Sequence, residues 1–216
     1  MKRLPSYLSI FAIVFFSISC ENQVGVDEDI KDSLEPVEEV TLIPSGDNTI
    51  LNINKDSQAF FTVELQNVEM VEILENVETM QAWCIDWLKP IDSDNGSYEG
   101  VKLYSTFKVE KWKPINYLLN IIGVLKGNDP AITYREIQIA IWSLRANPEF
   151  NLETVDIEDL PGRFREGGEP KFSYEKVEKI LEIVENNYRR YEYPQGSKYA
   201  LIIETPEEYP NRFFRN

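Results

Sequence analysis

The chain reads as an α+β protein: an antiparallel β-sandwich or barrel-like sheet with a packed helical subdomain. Two observations predict this. Stretches that alternate apolar and polar residues lie before and after a central block, and that block holds three segments with apolar residues at helical spacing. From about residue 48 onward there are no internal repeats or low-complexity tracts, so one globular domain is expected.

The strands come first. Residues 58–65 (QAFFTVEL) and 101–109 (VKLYSTFKV) alternate as half-buried strands do. In the second, Val101, Leu103, Phe107 and Val109 share one face, and Lys102 and Lys108 share the other. Residues 198–204 (KYALIIE) read as a late, more buried strand. Residues 68–84 fit either period: Met70, Ile73, Leu74 and Val77 sit at helical spacing, yet the stretch is rich in Val and Ile. Residues 92–100 (DSDNGSYEG) read as a loop. They look like a calcium loop, but Gly96 stands where a fifth-place ligand is needed.

Three helices follow from spacing and end signals. The first opens near Pro114, carries Ile115, Leu118, Leu119, Ile122 and Leu125 on one stripe, and stops at Gly127. The second opens with Thr133-Tyr134-Arg135-Glu136, a capping box in which two side chains satisfy free backbone donors. Its stripe is Ile137, Ile141 and Leu144, and Pro148 ends it. The third begins near Ser173 and turns Val177, Ile180, Leu181, Val184 and Tyr188 inward. The glutamate runs over 35–39 and 175–185 read as solvated faces.

Composition narrows the chemistry. Of 216 residues, 37 are acidic and 22 basic, and the net charge of −15 leaves no basic surface to displace phosphate counterions, so nucleic acid is not an expected partner. Histidine is absent, which removes histidine general bases, Ser–His and Cys–His nucleophile pairs and histidine metal sites. With only Cys20 and Cys84, a structural zinc site is also excluded, and no cofactor or metal is expected. Chemistry is left to carboxylates or a lone thiol.

The N-terminus looks like an export signal. Lys2 and Arg3 precede an uncharged run over 6–19, too short to span a bilayer as a helix but suited to a secretory apolar core. The run ends Ser17-Ile18-Ser19-Cys20, and residues 1–19 resemble a bacterial lipoprotein signal, in which the cysteine is acylated and becomes the first residue. Ser17 departs from the usual leucine. An ordinary cleaved signal with an incidental cysteine is the other reading. Residues 20–45 then read as an acidic flexible tether, with eight acidic side chains and a single Lys31 after Cys20, and residues 46–216 as the globular domain. If Cys20 carries lipid, Cys84 has no partner for a disulfide.

Two segments carry the functional expectation. One is Trp83-Cys84-Ile85-Asp86; the other is Ile137-Gln138-Ile139-Ala140-Ile141-Trp142 on the second helix. Gln138 and Trp142 are four apart and share a helix face, so an amide sits beside a large ring and needs a polar partner. Together the segments resemble the internal thioester domains of bacterial surface adhesins. Those domains join a cysteine that follows an aromatic or apolar residue to a glutamine of a hydrophobic–Gln–x–Ala–hydrophobic–Trp motif. The resemblance covers about residues 58–205. It implies a Cys84–Gln138 thioester shielded by Trp83, Tyr134 and Trp142, and single-event covalent attachment rather than turnover. The implied partner is a surface or host protein or glycan bearing an amine or hydroxyl. Tryptophan stands before the cysteine where tyrosine or phenylalanine is commoner. No wall-sorting motif or repeat stalk follows, so lipid on Cys20 and the acidic tether would take over anchoring to the membrane at the cell surface.

Two other classes stay open on the residues alone. A non-covalent binding module for protein or glycan would use Trp87, Trp112 and Tyr104 as exposed aromatics and leave Cys84 an inert core thiol. A hydrolase would need a carboxylate pair such as Asp86 with Asp92 or Asp94, though no spacing singles one out.

Overall fold

Alternation in β2 (Ile50–Lys55) and β3 (Phe61–Gln66) sends Leu51, Ile53, Phe61 and Val63 into the core, and the antiparallel register sets Leu51 opposite Leu65 and Ile53 opposite Val63. β4 (Met80–Ala82) adds to one side of this pair and β5 (Gly96–Glu99) to the other, giving the order β4-β3-β2-β5. A second sheet has β6 (Lys102–Ser105) at its centre, between β1 (Thr41–Ile43) and β9 (Leu201–Glu204). A short ribbon pairs β7 (Arg165–Glu166) with β8 (Glu169–Pro170), and every pairing among the described residues is antiparallel. In the computed structural model the described residues are 38–44, 47–68, 79–89, 91–145 and 148–206, all within the unit Ser33–Asn216. The signal, Cys20 and the helical-or-strand stretch with Met70, Ile73, Leu74 and Val77 lie outside them.

The fold is α+β, and among the described residues the sheets stay open rather than closing into a barrel. The three helices the sequence predicts are found as α1 (Lys113–Asn128), α2 (Tyr134–Leu144) and α3 (Tyr174–Asn187), packed on one another. Of the expected α3 stripe, Val177, Ile180 and Val184 are buried, Leu181 is half-buried, and Tyr188 falls just past the helix end. α2 differs from a surface helix. Every residue from Glu136 to Trp142 is buried, so a helix apolar on nearly all sides runs through the core. Its capping box is present: Glu136 accepts from the Thr133 N–H at 2.8 Å, and Thr133 accepts from Arg135 at 3.1 Å. Glu136 also accepts from the Ser173 N–H at 3.0 Å, tying the start of α3 to the start of α2.

Several expectations need correction. The segment expected to be a tether through residue 45 gives its last residues to the fold: Thr41–Ile43 is a strand, Val40 is buried and Glu38 is only 2% exposed. Residues 92–100 are not all loop, because 96–99 form β5. Gly96 is required by close approach, since a Cβ there would lie 2.1 Å from the Asp92 carbonyl oxygen. Gly100, at φ 70°, turns the chain from β5 into the other sheet. The strand expected over 101–109 ends at Ser105. Lys108 adopts φ 60° in the turn that follows, and Phe107 is 46% exposed. Both faces of β6 are covered, so Tyr104 is buried as well as Leu103. Trp112 is 1% exposed, so neither Tyr104 nor Trp112 is the surface aromatic a binding face would need.

Candidate functional site

Cys84 leaves the end of β4 two residues past Ala82, and Gln138 lies in the second turn of α2. Gln138 is 0% exposed, and an amide held in an apolar helix must find both a donor and an acceptor. It finds them on one residue. The Cys84 N–H donates to Gln138 Oε1 at 2.9 Å, and Gln138 Nε2 donates to the Cys84 carbonyl at 2.7 Å. These reciprocal bonds span 54 residues of sequence and bring the two residues together.

Three successive carbonyls then fix the loop. That of Cys84 accepts from Gln138, that of Ile85 from Arg145 Nη1 at 2.6 Å, and that of Asp86 from the Cys84 thiol at 3.1 Å. The Asp86 carboxylate shapes the turn beyond, accepting from the Leu88 and Lys89 N–H groups at 3.0 and 3.1 Å. Trp87 donates to the Glu149 carbonyl at 3.1 Å. Asp92 accepts from the Asp94 N–H, and Asp94 faces Lys55 across 3.9 Å, so these carboxylates serve their own loop rather than pairing with Asp86.

The thiol is desolvated. Burial pushes its pKa up from 9.0 to about 11, and the Asp86 charge adds to this. The Asp86 backbone, the Trp142 indole and the Arg145 charge pull the other way. Trp142 Nε1 is buried with no hydrogen-bond partner of good geometry, and its favourable field on the sulfur is its one polar role here. The Trp142 ring is 1% exposed and packs among Phe60, Phe150 and Phe164 at centroid distances of 6.1, 5.6 and 5.1 Å. Trp83 is half-buried against the core. Tyr134 is buried one helical turn before Gln138, but its ring contacts Phe60, Phe164 and the Arg163 guanidinium rather than the loop.

Two members of the site have no signature in the sequence. Arg145, at the end of α2, is buried over the Trp112 ring and bonded to Glu38 at 2.6 Å; Glu38 also faces Lys111 at 3.6 Å. Glu38 thus belongs to the core and not to a solvated glutamate face. Among the described residues no cluster of acidic, cysteine or histidine side chains could hold a metal, and no helix is long and apolar enough to cross a membrane. Compared with protein families, curated proteins and solved structures, the chain finds no match.

Proposed function

We propose that the chain is an exported, lipid-anchored surface protein whose Cys84 and Gln138 side chains condense into an internal thioester, which then captures a nucleophile on a ligand. The reciprocal hydrogen bonds between Cys84 and Gln138 carry this reading. The sulfur attacks the Gln138 carboxamide carbon, the C–N bond breaks, and the thiol proton leaves with the amide nitrogen as ammonia. As the carbonyl becomes tetrahedral, charge collects on Oε1, where the Cys84 N–H already donates. The bonds to the Cys84 backbone keep the amide beside the residue that carries the thiol. The thiol, which donates to the Asp86 carbonyl at 3.1 Å, has to turn from it to reach the carboxamide carbon.

The same burial favours a long-lived product. A thiol whose pKa is pushed to about 11 is a poor leaving group, so water opens the bond slowly. A lysine amine or a hydroxyl on a surface or host protein or glycan then attacks the former Gln138 carbonyl. An amide or ester forms, the C–S bond breaks, and the proton of the nucleophile ends on Cys84. Each molecule does this once, so the protein is not an enzyme.

Intact mass of the full chain, measured before any reductant and with or without methylamine, tests the reading. A mass one ammonia short, converted by methylamine to an N-methylamide with a newly alkylatable Cys84, is expected. A mass with no deficit overturns it. A second reading, a non-covalent binding module with Cys84 as an inert thiol, draws on the raised pKa, which keeps the thiol protonated at neutral pH. It predicts that unmodified mass.

A further inference from the structure

Forming a thioester would expel the Gln138 amide nitrogen and with it the hydrogen bond to the Cys84 carbonyl. The thioester would itself join Cys84 Sγ to the former Gln138 carbonyl, whose Oε1 could still accept from the Cys84 N–H. Next to it the loop is held from the end of α2 by Arg145, which donates to the Ile85 carbonyl at 2.6 Å. Arg145 is held in turn by Glu38, which is 2% exposed and belongs to the chain's N-terminal lead into β1. The guanidinium rests over the Trp112 ring at 5.3 Å, which fixes its plane.

Resting on the thioester reading, we infer that Glu38 and Arg145 form a latch that keeps the 84–86 loop closed over the thioester. They are positioning residues that hold the Cys84 loop against α2 and so set how long the thioester survives. Replacing both members by apolar residues removes the latch without stranding a buried charge, a change that leaves stability near neutral where removing one partner does not. Lys111, the other cation facing Glu38, is partly exposed and can turn to solvent.

The test compares the full chain with the double variant Glu38→Leu/Arg145→Met at matched melting temperature. Two rates are read: opening of the thioester by methylamine, followed by mass, and alkylation of Cys84 by iodoacetamide once the bond is open. The latch predicts at least tenfold faster opening and at least tenfold faster alkylation in the variant. Equal opening rates with a thioester present in both proteins overturn the latch and leave the thioester reading standing. If the unaltered chain carries no thioester, that reading fails and the latch loses its stated role. The alkylation rates then still decide whether the pair holds the loop, and equal rates reject that as well. A single Arg145→Lys variant, which keeps the charge but not the fork, is expected to fall between the two.

Discussion

Replacing Gln138 by glutamate probes the contact with Cys84 without relying on covalent chemistry. In a Cys84→Ala background the backbone N–H and carbonyl of residue 84 remain, and no thioester can form. Glutamate can still accept from the residue 84 N–H. It can satisfy the carbonyl, now met by Gln138 Nε2 at 2.7 Å, only when protonated. At a site that is 0% exposed, ionisation would leave a buried acceptor facing a carboxylate, so the folded pKa of this glutamate must lie above its unfolded value of about 4.3. The sign follows: the variant's stability is whole below about pH 4.3 and is lost as pH rises through the raised folded pKa. One lost charge-free hydrogen bond and one unsatisfied buried acceptor amount to about 3 kcal/mol. For a domain of this size that is a fall of roughly 6–12 °C in melting temperature. Thermal unfolding of Cys84→Ala with and without Gln138→Glu, at pH 4.5 and 7.5, reads the difference directly. A melting gap that is the same at both pH values would refute the placement of Gln138 against the Cys84 backbone.

Other outcomes follow from the same geometry. As a free thiol, Cys84 should titrate near pH 11 rather than 9, read by thiolate absorbance. Burial of the neutral thiol therefore stabilises the fold fully below pH 9, and that contribution fades as pH rises toward 11, a trend that Cys84→Ala should lack. Trp142→Phe removes a group that favours the thiolate, so the Cys84 titration should move higher still; a downward move would contradict the indole's placement. Glu136→Ala breaks bonds to Thr133 and Ser173 together and should destabilise the domain by about 2–3 kcal/mol in urea unfolding, more than loss of an exposed cap.

What could be read beforehand divides by sequence distance. The capping box at Thr133 and Glu136 and the stripe of α3 are local patterns, and they fold as written. That Gln138 meets Cys84 was legible because a buried amide in an apolar helix demands a partner and two short motifs named both ends. But the motifs pointed to the thiol, and Gln138 bonds the Cys84 backbone while the thiol turns to the Asp86 carbonyl. Tyr104 and Trp112 were misjudged because burial on both sides of β6, and beneath Arg145, is set by elements far along the chain. Glu38 gave no signal at all. Nothing local in a run of glutamates marks it; its partners, Arg145 and Lys111, lie far along the chain, Arg145 107 residues away. β5 was hidden by turn-forming residues, since the Asn95 N–H is capped by the Asn54 side chain and the strand resumes at once.

The Glu38–Arg145 pair also has a mechanical side. A ligand bound covalently at Gln138 would pull on α2, and an anchor upstream would pull through Glu38. Arg145 lies seven residues along from Gln138, so about two turns of helix and one ion pair join the two points of traction. That path is short, and it runs beside the one the backbone offers from Glu38 into β1 and on to β6. The most deeply buried helix among the described residues would serve as a tie rod between the two points.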